Sequence, residues 1–172
     1  IVKVLSFSEV RFLPKIIRHL VYGWKVFRLV KSYEIIYAQD TVSVGLPVCL
    51  ACWLTHKPFI LKVVGDYAWE QGSQRFGVKD FLDDFSLDYK KYYWPVKLLK
   101  SIQTGVARRA QKIIVPSHYL KKIVSNWGVS PAKIKVIYNA FDGLTDLPSK
   151  EQLRQELNLS GRILISAGRL VT

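Results

Sequence analysis

The chain has 172 residues, 26 Lys+Arg against 13 Asp+Glu, a formal charge of +13 and no methionine. Apolar residues at 49% and charged residues at 23% allow a packed core and exclude wholesale disorder. The length fits one domain, or one domain and a piece of a second, and the positive excess points to an anionic partner: nucleic acid, lipid headgroups or phosphorylated ligands.

The chain opens on Ile1-Val2-Lys3-Val4-Leu5, which reads as a strand over Val2–Leu5 and not as a signal peptide. Arg11–Ser32 follows with Leu13, Ile16, Ile17, Leu20, Trp24 and Phe27 at helical spacing. Ile35–Ala38 predicts a buried strand ending at Gln39-Asp40-Thr41, and Gly45-Leu46-Pro47 opens an apolar helix to about Trp53. Phe59–Val64 is the next strand and ends at Gly65-Asp66. Glu70–Asp88 shows no clear period, whereas Trp94–Ala110 reads as a helix. Lys112–Val115 is a strand ending at Pro116-Ser117; Ser117 is placed to cap a helix running to Asn126, and Gly128 to stop it. Lys133–Tyr138 is the last strand before Asn139.

Short apolar strands alternating with helices predict an α/β fold with a doubly wound parallel sheet, Rossmann-like, covered on both faces. Such sheets place ligands at the carboxyl ends of their strands. Here those ends carry Asp40, Gly65-Asp66, Ser117 and Asn139. Residues 1–140 read as one domain. Residues 141–161 read as a linker with a short helix Lys150–Leu157, started by a capping box of Ser149 and Gln152. Arg162–Ala167 predicts a new strand, so that 162–172 begin a second domain. Both ends read as cut through structure, and the sequence is expected to be a fragment.

Gly65-Asp66-Tyr67-Ala68-Trp69-Glu70 follows a buried strand. A glycine there admits close backbone approach to a ligand, and two carboxylates with two aromatics suit the hydroxyls and apolar face of a sugar. An ordinary strand-to-loop turn is the competing reading. Arg169, after Gly168, is placed at a strand end where its fork matches diphosphate oxygens, with a solvated surface arginine as the competing reading. Asp80, Asp83, Asp84 and Asp88 form an acidic cluster in which Asp80, Asp84 and Asp88 would share a helix face; with Phe81, Leu82, Phe85 and Leu87 around them they read as a solvated face and not as a metal site. Cys49 and Cys52 have redox-motif spacing, but lie within an apolar helix and read as buried core thiols. His19, His56 and His118 are scattered without zinc spacing. No uncharged run reaches the ~20 residues of a membrane span. The 11–32 helix carries Arg11, Lys15, Arg18, Lys25, Arg28 and Lys31 with no acid, which suits either a solvated positive face or contact with anionic lipid through Arg18, Lys25 and Arg28.

Four segments in order, FILKVVGDYAWE (Phe59–Glu70), ARRAQKIIVPSHYL (Ala107–Leu120), WGVSPAKIKVIYNA (Trp127–Ala140) and SAGRL (Ser166–Leu170), resemble the family-4 retaining glycosyltransferases of the GT-B fold. The resemblance covers most of Tyr33–Leu170 and implies an acceptor-side N-terminal domain and a nucleotide-sugar-binding C-terminal domain. It implies transfer with retention, no obligatory metal and no further cofactor. On this resemblance Gly65 and Asp66 match the loop facing the cleft, with Asp66 as the catalytic candidate and Gly65, Asp66, Glu70, Ser117 and Asn139 as substrate-binding candidates. Arg169 matches the arginine that stabilises the donor diphosphate as it leaves. Many relatives carry a histidine directly before the loop glycine; this chain has Val64. The expected partners are a nucleotide-sugar and a glycan or lipid-linked acceptor, with an anionic membrane surface and without nucleic acid. The expected location is cytoplasmic, peripheral at the inner face of the membrane. Two other readings stand beside this one: a nucleotide-sugar 2-epimerase-like GT-B enzyme, and a basic α/β nucleic-acid-binding module, for which no recognition motif is present.

Overall fold

The computed structural model describes residues 2–140, 143 and 148–164. It forms two compact units, Ile1–Tyr138 and Asn139–Thr172. In the first unit the elements run α1 (Lys15–Val30), β1 (Ile36–Ala38), α2 (Gly45–Leu54), β2 (Phe59–Lys62), α3 (Tyr67–Arg75), α4 (Leu82–Leu87), α5 (Trp94–Arg109), β3 (Lys112–Val115), α6 (His118–Asn126) and β4 (Ile134–Val136). The second unit contains α7 (Lys150–Glu156).

All four strands are parallel and lie in sequence order, β1-β2-β3-β4, with Ile36 opposite Phe59, Leu61 opposite Ile113 and Ile113 opposite Ile134. Alternate side chains point to opposite faces of such a sheet. Ala38, Phe59, Leu61, Val63, Ile113, Val115 and Ile134 face the helices and share one apolar core with Val48, Cys49, Ala51 and Cys52 of α2, Val106 and Ala107 of α5, and Ile123 and Val124 of α6. Sequential order with right-handed crossovers places the connecting helices on one face. The other face carries Tyr37, Ile60, Lys112, Ile114 and Lys135, half-buried or exposed, and the last four line a recess of about 770 Å³. The expected α/β fold with a parallel, Rossmann-like sheet is present, and among the described residues the second face stays partly open.

The local signals explain most boundaries. Ser117 accepts the backbone N–H of Leu120 at 3.1 Å and starts α6; Gly128, at φ +74°, takes the left-handed conformation that ends it. The Ser149–Gln152 capping box is formed as expected. Lys57 donates to the carbonyls of Val30, Lys31 and Tyr33 at 2.8–2.9 Å, satisfying the C-terminal end of α1 from the loop just before β2.

Four expectations change. Val2–Leu5 forms no strand, since no neighbouring strand offers it a ladder; a 3-10 helix, Phe7–Val10, follows instead, capped by Ser6 and Glu9. The helix predicted from Arg11 begins only after Pro14, whose missing N–H is tolerated at a helix start but not inside. Its buried stripe is Tyr22, Val26 and Val30, while Leu20 and Trp24 face solvent, Trp24 at 60% exposure. The stretch without clear period holds α3 and α4. Of the strand predicted at 162–167, Arg162–Leu164 form none, and the rest lies outside the described residues.

Candidate functional site

Every strand of a parallel sheet ends at the same edge, and the loops there gather polar groups. After β1, Asp40 Oδ1 accepts the N–H groups of Val42 at 2.5 Å and Ser43 at 3.1 Å, closing the turn into α2. After β3 stands the Ser117 cap. After β2 the chain passes Val63 and Val64 to Gly65 and Asp66, where α3 begins.

Asp66 is the anchor of this turn. Its side chain is 1% exposed and caps α3, Oδ1 accepting from Trp69 N at 3.0 Å. The same oxygen accepts from Gln103 Nε2 at 2.7 Å, and Oδ2 accepts from Lys100 Nζ at 2.6 Å. Gln103 uses its other amide atom to accept the N–H of Ala68 at 3.0 Å. One amide thus grips both the cap residue and the first turn of the helix. Lys100 is itself 1% exposed, and its ammonium lies 5.0 Å from the Phe85 ring centroid and 4.8 Å from that of Trp127. Burial pushes the Lys100 ammonium below its ordinary pKa, and the adjacent Asp66 carboxylate opposes that shift.

Both oxygens of Asp66 are engaged inside the protein, so its carboxylate supports the turn. Glu70 lies over the same turn: a Cβ at Gly65 would overlap Glu70 Oε1, so the glycine is what lets this carboxylate fold back against the backbone. Val64, directly before Gly65, is 59% exposed and offers no titratable group.

The structure brings Gly65, Asp66 and Glu70 together in one turn and places Ser117 at the end of the adjacent strand, its hydroxyl occupied as a helix cap. Asn139 is exposed and is the first residue of the second unit. Arg169 lies outside the described residues. On α1, Lys25 pairs with Glu9 at 3.3 Å, Arg28 stacks 4.8 Å above the Trp24 ring, and Arg18 is half-buried with an unpartnered Nε. Both cysteines are buried, and burial pushes the Cys52 thiol up to about 11, as expected of core thiols and unlike a redox pair.

The acidic cluster is not one helix face. Asp80 bonds Tyr92 and pairs with Lys91 at 2.5 Å, whereas Asp83 pairs with Lys122 at 2.8 Å and accepts from Tyr119 at 2.7 Å. Among the described residues no group of three or more His, Cys, Asp or Glu is placed to hold a metal ion. Sequence reasoning missed Lys100 and Gln103. A signal was present: Val96, Lys100, Gln103 and Ala107 form one helical stripe of α5, so two polar side chains lie on its core face and require a buried partner.

The family model for Glycosyltransferase Family 4 matches residues 2–142. Among solved structures, HepE of Anabaena in complex with UDP matches with a TM-score of 0.55 at 18% identity, over 80% of this chain and 32% of that one. The same protein with UDP-glucose matches with a TM-score of 0.51 at 19% identity, over the same 80% and 32%. At such identity the likeness shows the fold: a parallel sheet flanked by helices, matching a Rossmann-like GT-B domain. The chain spans about a third of the length of these structures. No curated protein matches the chain.

Proposed function

The chain belongs to glycosyltransferase family 4, and from that premise we propose that the protein transfers a sugar from a nucleotide-sugar to an acceptor with retention at the anomeric carbon. The observation that carries the reading is the family match over 2–142, which spans the Gly65 turn and the Ser117 cap at one sheet edge. On this reading residues 1–140 form the acceptor side and 162–172 begin the donor-binding domain. The C1–O bond to the diphosphate breaks, a C1–O bond to the acceptor hydroxyl forms on the same face, and the hydroxyl proton leaves with the diphosphate. Arg169 stabilises that departing charge. Gly65 allows close approach, Glu70 accepts a sugar hydroxyl, Ser117 and Asn139 each contribute to substrate binding, and Asp66 holds the turn. No obligatory metal takes part.

HepE is described in complex with UDP and with UDP-glucose, which makes UDP-sugars the first donors to assay. The test is release of nucleoside diphosphate from a panel of nucleotide-sugars by the native protein, with and without EDTA, followed by NMR of the new linkage. Acceptor-dependent release that survives EDTA, with the donor's anomeric configuration kept, supports the reading. An inverted product overturns retention. Epimerised nucleotide-sugar without transfer favours the 2-epimerase alternative.

The proposal extends to location. Among the described residues no helix is long and apolar enough to cross a membrane. Ile17, Leu20 and Trp24 form an exposed apolar stripe on α1 that ends on Arg28, a pattern suited to lying on anionic lipid. Sedimentation with phosphatidylglycerol vesicles is expected to weaken when Arg18, Lys25 and Arg28 are neutralised together, and again when Trp24→Ala is added. Unchanged sedimentation in both overturns the docking role.

A further inference from the structure

Lys100 has no place in the chemistry proposed above, yet it is the most enclosed cation described. A lysine on the core face of a helix is unfavourable unless its charge meets an opposite one. Here it meets Asp66 at 2.6 Å, and it does so from α5, thirty-four residues along the chain. Its two aromatic neighbours come from two further places: Phe85 on α4, and Trp127 just after α6. Lys100 thus touches three other elements around one carboxylate. Gln103, one helical turn on, holds the same carboxylate and the Ala68 N–H.

A helix cap alone does not require this assembly. Serine or threonine would accept from Trp69 N without introducing a charge. A charged cap that is 1% exposed needs a fixed counter-charge, and the arrangement then ties the cap to the packing of α4, α5 and α6. We infer that Lys100 is a positioning residue for the β2–α3 turn: its ammonium keeps Asp66 buried and capping, so that Gly65 and Glu70 are held in one geometry at the sheet edge. Its consequence for turnover rests on the sugar-transfer reading; its effect on the turn does not.

The test uses Lys100→Met and Asp66→Asn, singly and together, in the native protein. Amide exchange of residues 67–70 is compared with that of β2 and β3, and kcat and KM are measured for the nucleotide-sugar that proves active. Lys100→Met is expected to speed exchange at 67–70 at least tenfold beyond the acceleration that its loss of global stability imposes on the strand amides. It is also expected to lower kcat at least tenfold with donor KM within twofold. The double variant is expected to recover part of both, because no unpaired charge remains. If Lys100→Met accelerates exchange evenly over turn and strands, the residue is an ordinary core member and the inference is overturned. If the turn alone loosens and kcat does not move, the positioning of the turn stands and the use of that turn in sugar transfer is what fails. Should Lys100→Met not fold, Lys100→Arg keeps a positive charge but not the ammonium's contact with Asp66 Oδ2. An exchange increase confined to 67–70 then supports the inference, and an even increase over turn and strands, or none, overturns it.

Discussion

Lys100–Asp66 and Lys122–Asp83 join the same two functional groups at 2.6 and 2.8 Å, yet they belong to different physical regimes. The side chains of the first pair are 1% and 0% exposed, those of the second 67% and 43%. At the surface, water solvates either ion almost as well as its partner does, and salt screens what remains. In the interior each ion has lost its hydration, so the partner is the only compensation it has. Distance therefore says little about the importance of an ion pair; the solvent it has displaced says most. The same contrast separates the turn after β2, built on buried charge, from the Asp80 and Asp83 region, where charge is dispersed over exposed lysines and tyrosines.

The largest test of this contrast removes one partner of the buried pair. Lys100→Met leaves Asp66 as an uncompensated buried charge and is expected to lower unfolding stability by about 3–5 kcal/mol. Urea denaturation measures it, and the Lys100→Met/Asp66→Asn double variant is expected to be less destabilised than the sum of the singles. A loss no larger than that of a surface lysine would place both pairs in one regime.

Burial acts on neutral groups of the same core with the opposite pH sense. The Cys52 thiol, pushed up to about 11 from 9.0, stays protonated in the folded protein while the unfolded chain ionises. Above pH 9 the folded state binds the extra proton, so stability falls as pH climbs from about 9 to about 11. Lys100 contributes in the other direction, since its depressed pKa makes the unfolded chain bind the extra proton below 10.5. Denaturation curves across pH 8–11 should therefore decline more steeply in the parent than in Cys52→Ala. Equal slopes would mean that burial at Cys52 does not govern its ionisation.

How much of this was legible in the sequence follows the same division. Strands read well because buried parallel strands are short, nearly continuous apolar runs: Lys112–Val115 has the predicted limits. The α6 boundaries read well because Ser117 and Gly128 act locally. Helix α3 did not read. Its buried positions are Ala68 and Gly72, too small to mark a stripe, and Gly72 looks like a breaker although a Cβ there would meet Val78 Cγ2 at 2.9 Å. Asp66 was visible by its place at a strand end, but its role was not, because both side-chain partners come from α5. The acidic cluster misled for the converse reason: closeness in sequence suggested one helix face for Asp80, Asp84 and Asp88, while α4 spans only Leu82–Leu87 and leaves Asp80 and Asp88 outside it.

Between the two regimes stands Ser117, half-buried and uncharged, whose hydroxyl accepts one backbone N–H. Ser117→Ala orphans that N–H and is expected to lower stability by about 1 kcal/mol, with Ser117→Asp retaining the cap. A loss in Ser117→Ala that Ser117→Asp also shows would point to packing in place of capping.

The smallest effect is the most direct check on the comparison. Asp83 has its carboxyl held below the ordinary carboxylate range, by the hydrogen bond from Lys122 first and that from Tyr119 second. A depressed carboxylate pKa contributes stability above its unfolded value and loses it as pH falls through the folded one. For a group this open to solvent, screening removes most of that contribution. Asp83→Asn keeps the shape and an acceptor for Tyr119 while deleting the charge. Its denaturation midpoint at pH 7 should match the parent within error, and the small remaining difference should vanish between low and moderate salt. Asp66→Asn, under the same salts, should keep its full deficit, because no ion from solution reaches the space between Lys100 and position 66. If the two substitutions respond alike to salt, burial is not what sets the two aspartates apart.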